Sequence, residues 1–398
     1  MVSGTIETGA YARDLLGAAN PREKPAVLRV PEGVEPHQSL KTFIESGVIT
    51  ASNPITDEQI QPASLDLRLG SVAYRIRASF LPDRRSEVLD KVLGAMDGHE
   101  IDLSAGTVLD RDQVYLIPLQ ESLALPRSIH GLANPKSSTG RLDVLTRLIT
   151  EKGTAFDEID SGYRGRLYVE VTPQTFSVVV RPGTRLNQIR LVRGNGNMTL
   201  RGERLKVPYR AGELVSNPSG KLAAHESLVP VAIDLQGSGL HNPIGFRAKR
   251  FTGRIDLDKK RYYDWEDYWE PIYPRNGTLI LDPGEFYILV TREHVGVPPN
   301  LAAEMVAYET RSGEYRVHYA GFFDPGFGHP LSTQGSRAVL EVRSQIPFML
   351  EHGQTVGWLS YEKMSSQPLL VYGQGIGSNY QGQGLALAKQ FKPFLPRS

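Results

Sequence analysis

The sequence NPKSSTGRLDVLTRLITEKGTAFDEIDSGYRGRLYVE, residues 134–170, holds the densest set of chemically informative side chains in this chain. It opens with short hydroxyls flanked by cations: Lys136, Ser137, Ser138, Thr139 and Arg141. It closes on a strand-like run that contains one carboxylate, Glu170. Short hydroxyls beside a fixed cation suit a phosphate chain. An acid in an otherwise apolar strand is a candidate acid or base, because burial raises the pKa of a carboxyl.

A structural interpretation competes with each of these features. The hydroxyl cluster is also typical of a polar turn that caps a helix over residues 141–149, and spacing alone favours that interpretation. Glu170 on its own is slightly more typical of an edge-strand carboxylate that faces solvent or pairs with Arg166. Asp160 stands before Gly162 in a turn, where Asp commonly hydrogen-bonds its own backbone, so a structural role is favoured there over general-base work.

Composition excludes several classes of protein. The 398 residues predict about two domains. Lys plus Arg is 45 and Asp plus Glu is 44, which argues against a protein that coats nucleic acid. No apolar run approaches the roughly 20 residues of a spanning helix. The first residues lack a basic segment followed by an apolar one, so we expect no secretory signal and a cytoplasmic protein.

Motifs for metals and for common nucleotide folds are absent from the sequence. With 0 Cys, thiolate-bound zinc, iron–sulfur clusters and cysteine nucleophiles are impossible. The 9 His form neither HExxH nor HxE, so no metal site is predicted from protein side chains. There is no GxxxxGK and no GxGxxG, so a triphosphate would not be held by a P-loop.

Hydrophobic periodicity predicts many short strands and few helices. Residues 39–49 have the spacing of an amphipathic helix, and residues 86–96 that of a short helical insertion. Residues 60–69 alternate apolar and polar side chains, as in a half-buried strand. Residues 176–180 and 186–192, around an Arg-Pro-Gly turn, are predicted to form a hairpin.

The pattern then recurs in order, which indicates an internal duplication. Residues 279–298 match residues 108–126, and residues 348–361 repeat the predicted hairpin. Asp324 is at the position of the second repeat that corresponds to Asp160. Glu341, in VLEV, likewise corresponds to Glu170, in YVEV.

The predicted fold is therefore mainly β, with two β-barrel or jelly-roll-like domains in tandem and a few short helices. We expect an N-terminal arm over residues 1–35, a first domain over residues 36–205, a linker over residues 206–230 and a second domain over residues 231–398. An aromatic cluster at residues 262–269 is predicted to pack between domains or subunits, although stacking on a base is the alternative.

Four segments carry a resemblance to the deoxycytidine triphosphate (dCTP) deaminases, relatives of the trimeric deoxyuridine triphosphatases (dUTPases). Residues 60–70, IQPASLDLRLG, resemble the family's near-N-terminal strand. Residues 136–141 resemble its RSSxxR motif, with Lys for the first Arg, and residues 159–170 resemble IDPGxxGxxxxE. The tail at residues 380–383, YQGQ, resembles the family's C-terminal motif, with Tyr372 at the matching distance.

The resemblance implies dUTPase-like distorted barrels of the β-clip type, a trimer-like arrangement with sites between subunits, and hydrolysis of dCTP to dUTP and ammonia. It implies no cofactor for the chemical step, with Mg²⁺ bound through the substrate triphosphate. Zinc-dependent deaminases need HxE with PCxxC, which this chain lacks. A carboxylate would then have to activate the water. Neither a nucleic acid nor a membrane is expected as a partner, and dTTP is a candidate feedback inhibitor.

The resemblance also assigns roles to residues. Glu170 would activate the water, Ser137 and the carbonyl of Ala155 would position it, and Arg141 would stabilise the developing charge. The expected substrate-binding residues, including those that close a lid over the nucleotide, are Lys136, Ser138, Asp160, Gln188, Tyr372, Tyr380 and Gln383.

The second half keeps counterparts of these residues: Arg311, Ser312, Arg316, Asp324 and Glu341. However, Trp358 replaces the Gln, and the tail motif belongs to the second half alone. Three arrangements stay open: a second active site, a degenerate scaffold, or one site that draws its core motif from one half and its lid from the other.

The competing functions are a deaminase that also hydrolyses dUTP to dUMP and pyrophosphate, a pure triphosphatase, and a nucleotide-binding regulator without turnover. Triphosphatases usually carry an apolar residue where Glu170 stands, so the glutamate favours deamination.

Overall fold

A computed structural model describes residues 31–194, 198–217, 221–222, 226–306, 321–331, 335–374 and 380–394, and the backbone of residues 315–318. From Glu32 onward the chain forms one unit by its internal contacts. Most of the predicted arm, residues 1–35, lies outside the described residues. Within the described ranges, no helix has the length and apolar character that crossing a membrane requires.

The first half contains three short helices and thirteen strands. The helices are α1 (His37–Glu45), α2 (Val88–Leu93) and α3 (Ser137–Gly140). The strands are β1 (Gly33–Val34), β2 (Ile49–Ala51), β3 (Leu65–Leu67), β4 (Val72–Ile76), β5 (His99–Asp102), β6 (Thr107–Leu109), β7 (Val114–Ala124), β8 (Ile129–Pro135), β9 (Val144–Thr150), β10 (Glu158–Ile159), β11 (Arg164–Pro173), β12 (Val178–Val180) and β13 (Asn187–Arg193).

The second half follows helix α4 (Glu203–Arg210), which lies where the predicted first domain meets the predicted linker. Its strands are β14 (Leu228–Ala232), β15 (Gly245–Ala248), β16 (Ile255–Asp256), β17 (Trp269–Ile272), β18 (Thr278–Leu281), β19 (Phe286–Val295), β20 (Leu301–Val306), β21 (Tyr315–His318), β22 (Phe322–Phe323), β23 (Ser336–Ser344), β24 (Phe348–Glu351) and β25 (Thr355–Lys363). The exact domain boundaries remain predictions.

Strand pairing repeats between the halves. One sheet of the first half has the order β5-β4-β7-β11-β9, and its counterpart has the order β17-β15-β19-β23-β21. The order β1-β13-β8-β10, with β3 also on β13, corresponds to β14-β25-β20-β22. The pair β6–β12 corresponds to β18–β24. The mainly β fold with two tandem units is thus confirmed.

Two local predictions were wrong. The residues predicted as a hairpin belong to different sheets, because β12 pairs with β6 whereas β13 pairs with β3 and β8. The alternative of a helix over residues 141–149 fails as well. The helical turn ends at Gly140, and the β-branched run that follows forms β9, which pairs along β11.

The strand predicted over residues 60–69 is buried on both faces rather than on one. Leu65 and Leu67 are fully buried, as expected, but Asp66 is only 3% exposed and Arg68 only 9%. These charges tolerate burial because they are paired: Asp66 with Lys136, and Arg68 with Glu121 at 2.8 Å.

The hydrophobic cluster of the first half also includes residues of the second half, which has a further core of its own. Strand β16 of the second half runs parallel to β12 of the first and extends that sheet. Trp269 packs on Phe176 with ring centroids 5.3 Å apart, and Phe391 near the C-terminus packs on Tyr268 at 5.4 Å. The prediction that the aromatic cluster packs between domains is confirmed, because Tyr268 and Trp269 belong to the hydrophobic cluster of the first half.

A buried polar contact also joins the halves. Arg343 on β23 donates to the carboxylate of Asp143, through Nε at 3.0 Å and through Nη2. Thr175 donates to the same carboxylate at 2.6 Å. Asp143 is fully buried, so its charge depends on these donors.

We expect Arg343→Met to lower the free energy of unfolding by about 3 kcal/mol, because it removes the Arg343 cation from the buried Asp143 carboxylate. Denaturant unfolding followed by fluorescence measures this change. The control is Arg250→Met, which removes the exposed ion pair with Glu285 and should cost about 1 kcal/mol or less. Equal losses for the two variants would contradict a structural role for the buried pair.

Candidate functional site

A cavity of about 720 Å³ lies where the two halves meet. The first half contributes polar side chains from β3, from the turn of α3 and from β13. The second half contributes side chains from β22, from β23 and from the C-terminal segment. The predicted site residues that line it are Lys136, Ser137, Ser138, Arg141, Gln188, Asp324, Glu341, Tyr372, Tyr380 and Gln383.

The turn of α3 gathers the hydroxyls and the guanidinium. Strand β8 ends at Pro135, and Lys136 keeps an extended conformation before the chain enters a single helical turn. The N–H of Arg141 bonds to the carbonyl of Ser137, which closes that turn. Residues three and four apart on a helical turn share one side, so Ser137, Ser138 and Arg141 all reach the cavity.

Arg141 connects the first half to the second. Its Nη2 donates to Oε1 of Gln383 at 3.0 Å, and its Nη1 donates to the carbonyl of Ala386 at 3.2 Å. The guanidinium lies over the Tyr380 ring, 3.9 Å from the centroid. Its Nε is 4.0 Å from Oε1 of Glu341. One first-half cation therefore touches both the acid and the tail of the second half.

Glu341 has the electrostatics of an acid–base group. It lies on β23 and is 6% exposed. Burial raises the pKa of its carboxyl to about 8, although the nearby Arg141 charge opposes the rise and Asp143 adds to it. A carboxyl with such a pKa exchanges its proton near neutral pH, which suits proton transfer.

A second carboxyl, Asp324, faces the cavity at the end of β22. Burial raises its pKa to about 6, against the attraction of Arg190 and Lys136. Arg190 is fully buried, lies 3.8 Å from this carboxylate and donates to the carbonyls of Ala303 and Phe323. It thereby fixes the loop that carries Asp324. Sequence reasoning missed Arg190, although a charge within the apolar NQIRLV run was a usable signal.

The rest of the lining separates into a polar and an apolar part. Gln188 donates to Asn134 at 3.0 Å and accepts from Ser64 at 3.3 Å, which fixes its amide at the cavity wall. The apolar lining comes mainly from the second half: Met305, Phe322, Phe323, Phe327, Val339 and Leu370. An apolar slot with a few fixed polar groups is the usual environment of a bound small molecule.

Glu170, the carboxylate to which the resemblance assigns catalysis, lies elsewhere, and that role stays a prediction. It is 2% exposed and does not line the cavity. The side of β11 that carries Tyr168 and Glu170 faces residues 77–98, whose Phe80, Val88 and Val92 cluster with Tyr168. Burial raises the pKa of Glu170, while the Ser79 hydroxyl, Arg147 and the Phe80 N–H oppose the rise.

Two other predicted residues also lie outside the cavity. Ala155 is part of the loop between β9 and β10, and Asp160 is an exposed residue after β10. Of the second-half counterparts, Arg311 and Ser312 lie outside the described residues, and Arg316 belongs to β21, for which only the backbone is described.

Sequence reasoning also missed four cations of the lining, Lys41, Arg185, Lys260 and Lys389. They belong to none of the motifs, and only folding brings them together. Among the described residues, no group of three or more His, Asp or Glu side chains is arranged to hold a metal ion.

Comparisons with known proteins agree with the two-part architecture. A family model described as "2'-deoxycytidine 5'-triphosphate deaminase (DCD) N-terminal domain" matches residues 31–195, and the corresponding C-terminal domain model matches residues 201–391. A crystal structure titled 2'-deoxycytidine 5'-triphosphate deaminase from Agrobacterium tumefaciens is 48% identical, with a TM-score of 0.81. The alignment covers 87% of this chain and 100% of that one.

Single-length relatives match about half of the chain. The "dCTP deaminase, dUMP-forming" of Corynebacterium jeikeium is 29% identical over 189 residues, which is 47% of this chain and 93% of the relative. The protein of the same name from Mycolicibacterium gilvum is 28% identical over 204 residues, 50% of this chain and 98% of the relative.

The raised pKa of Glu341 predicts a pH-dependent stability cost. The folded state holds the proton up to about pH 8, whereas an unfolded glutamate releases it near 4.5. Wild type therefore loses about 1.4 kcal/mol of stability per pH unit between these values, and Glu341→Gln does not. We expect the stability of Glu341→Gln relative to wild type to increase from pH 5 to pH 8 in denaturant titrations.

The control for this experiment is Glu45→Gln, at an exposed position of α1. This substitution changes the same chemical group without removing a buried carboxyl. If Glu341→Gln behaved as this control does, the carboxyl would not be buried as described.

Proposed function

Because this chain belongs to the 2'-deoxycytidine 5'-triphosphate deaminase family, we propose that it hydrolyses dCTP at C4 of the cytosine, giving dUTP and ammonia, in the cavity between its halves. The observation that carries this proposal is the convergence of Ser137 and Arg141 from the first half with Glu341 from the second. The resemblance to the single-length deaminases implies active sites between subunits. In this proposal, the two halves of one chain take the places of two such subunits.

The proposed chemistry needs one base, one water and one site for developing charge. The Glu341 carboxylate takes a proton from the water whose oxygen attacks C4 of the cytosine, and passes that proton to N3. It then moves the second proton of the attacking water to the amino nitrogen. The C4–N4 bond breaks, ammonia leaves, and the new C4 oxygen becomes the uracil carbonyl.

Neighbouring groups would position the reactants. The hydroxyl of Ser137 orients the water, and Arg141 stabilises the charge that develops around C4 and the carboxylate. The apolar lining excludes bulk water from the ring, which strengthens these interactions. Lys136, Ser138 and Gln188 face the sugar and the phosphates, and Mg²⁺ would be held by the triphosphate.

The C-terminal segment serves as a lid in this proposal. The hydroxyl of Tyr372 accepts from the Tyr380 N–H at 3.2 Å, and Gln383 binds both Arg141 and the backbone of Arg337. These contacts tie the tail to the catalytic cation, so closure of the lid and placement of Arg141 are coupled.

A second candidate function is the further hydrolysis of dUTP to dUMP and pyrophosphate. The names of the relatives from C. jeikeium and M. gilvum, which include "dUMP-forming", favour it. Asp324, a second titratable carboxyl in the same cavity, would serve as the base for that step. Chromatography of the products from dCTP distinguishes dUTP with ammonia alone from dUMP with ammonia and pyrophosphate.

We expect Glu341→Gln to lower kcat for ammonia release from dCTP by about 10²-fold or more, because a carboxamide cannot carry the proton. Glu170→Gln is the matched control, since it changes the equivalent residue of the other half, outside the cavity. It should keep kcat within about threefold of wild type. The opposite ranking of the two variants would assign the chemistry to the first-half glutamate.

The free enzyme should show an alkaline requirement. Since Glu341 must be ionised to act as the base and its pKa is about 8, kcat/KM for dCTP should rise with pH below 8. The expected slope is about tenfold per pH unit. Initial rates measured from pH 5.5 to 9 give this slope. Enzyme returned to pH 8 after each incubation serves as the check for inactivation. A limb centred near 4.5, the ordinary value for glutamate, would contradict this assignment.

A further inference from the structure

A cluster of four cations lines the end of the cavity beyond Ser138. Its members are Lys136, Arg185, Lys260 and Lys389. A smaller cavity of about 250 Å³ adjoins this end, and Ser138, Arg185, Lys260 and Lys389 line both. Glu341 and Arg141 line only the larger cavity. The cations therefore lie on the other side of Ser138 from the proposed chemistry.

The cluster has more positive charge than its acids neutralise. Asp66 pairs with Lys136 and lies 3.8 Å from Arg185, and Glu58 lies 3.5 Å from Arg185. Asp258 lines the smaller cavity with the two lysines, but it pairs with Arg181 at 2.8 Å. Among the described residues, neither Lys260 nor Lys389 has an ion-pair partner. Cations held together without counter-charges repel one another, which is a cost that an anionic ligand would remove.

The two lysines are held side by side by the backbone. The N–H of Arg261 donates to the carbonyl of Lys389 at 2.9 Å, which places Lys260 next to Lys389. The residues on either side of Lys389, Ala388 and Gln390, are each 2% exposed. The chain at Lys389 is thus fixed in the fold, and its side chain is directed into the lining of both cavities.

We propose that Lys389 and Lys260 bind the terminal phosphates of the substrate and thereby make the site selective for a nucleoside triphosphate. This inference rests on the proposed function for the identity of the nucleoside. The binding of a polyphosphate anion at the lysines does not depend on that function. The nucleoside lies at Ser137 and Arg141, and the phosphate chain passes Ser138 toward the lysines. The lysines contribute as point charges, which suits terminal phosphates that carry most of the negative charge.

Titration of Lys389 adds a second, independent readout. Burial, Lys136 and Lys260 lower its pKa to about 8; Arg185 adds to this effect and Asp66 opposes it. A bound polyphosphate favours the charged amine, so binding above pH 8 should take up a proton. Glu341 and Asp324 face the same cavity and would also respond to an anion, so the measurement is made in a Glu341→Gln background, at a pH well above the pKa of Asp324, about 6.

The probe is inorganic tripolyphosphate, whose binding does not depend on deamination. In calorimetry at pH 8.5, we expect Lys389→Met to weaken its binding at least tenfold. Because the probe also titrates near this pH, the proton uptake of Lys389 is read as the difference between the two proteins in the dependence of the enthalpy on the buffer, and the variant should take up fewer protons. Lys389→Arg should keep most of the affinity, which separates a loss of charge from a loss of structure. Lys392→Met is the control, because that lysine pairs with Asp264 and lines neither cavity.

Steady-state kinetics provide the second test of the proposal. In the otherwise unchanged enzyme, Lys389→Met should raise KM for dCTP at least tenfold while changing KM for dCMP less than twofold, so that selectivity for the triphosphate falls. Unchanged tripolyphosphate affinity, or equal losses for dCTP and dCMP, would overturn the assignment. If tripolyphosphate binding behaved as expected in a protein that releases no ammonia from dCTP, the phosphate site would stand and the proposed function would fail.

Discussion

The contact between Arg141 of the first half and Glu341 of the second is the constraint on which this molecule depends. The guanidinium lies 4.0 Å from a buried carboxyl of the other half and also holds the tail through Gln383 and the Tyr380 ring. A buried acid is costly without a nearby cation, and a buried cation is equally costly without acceptors. The two halves can therefore satisfy these groups only when they dock in this one arrangement.

Divergence between the repeats explains why the equivalent glutamates have different surroundings. In the first half, residues 77–98 fold over the outer side of β11 and bury Glu170 against Phe80 and the side of α2. In the second half, the insertion between β15 and β17 instead crosses to the first half, where β16 joins β12 and Trp269 packs on Phe176. That insertion builds the junction and leaves Glu341 facing the cavity. Two strands with the same alternation around a glutamate thus have different environments.

The sequence was sufficient to predict the tandem β fold, the repeat and the motif residues of the cavity lining, because these follow from periodicity and from motifs with fixed spacing. It could not decide which half supplies the carboxylate. YVEV and VLEV have the same alternation, and only tertiary packing determines what covers each strand. The same limit applies to β3, where Asp66 and Arg68 have the alternation of a solvent-facing edge but are buried by ion pairs. Lys260 and Lys389 carry no local signal, since they lie 129 residues apart in sequence and meet only through a backbone contact.

The charges along the cavity also explain how a carboxylate could serve as the base in the proposed chemistry. A carboxyl with a pKa of about 8 populates both its protonated and its ionised form near neutral pH, so it can accept a proton from water and release it again within one turnover. Arg141 prevents the pKa from rising further, because its charge favours the ionised form. If the guanidinium were removed, the carboxyl would hold its proton more tightly and would lose its capacity as a base. If the surrounding apolar residues were removed, the pKa would fall toward that of an ordinary glutamate, and the carboxylate would be too weak a base to activate water. The opposing effects of burial and of Arg141 therefore set the proton affinity that the reaction requires, and each effect comes from a different half of the chain.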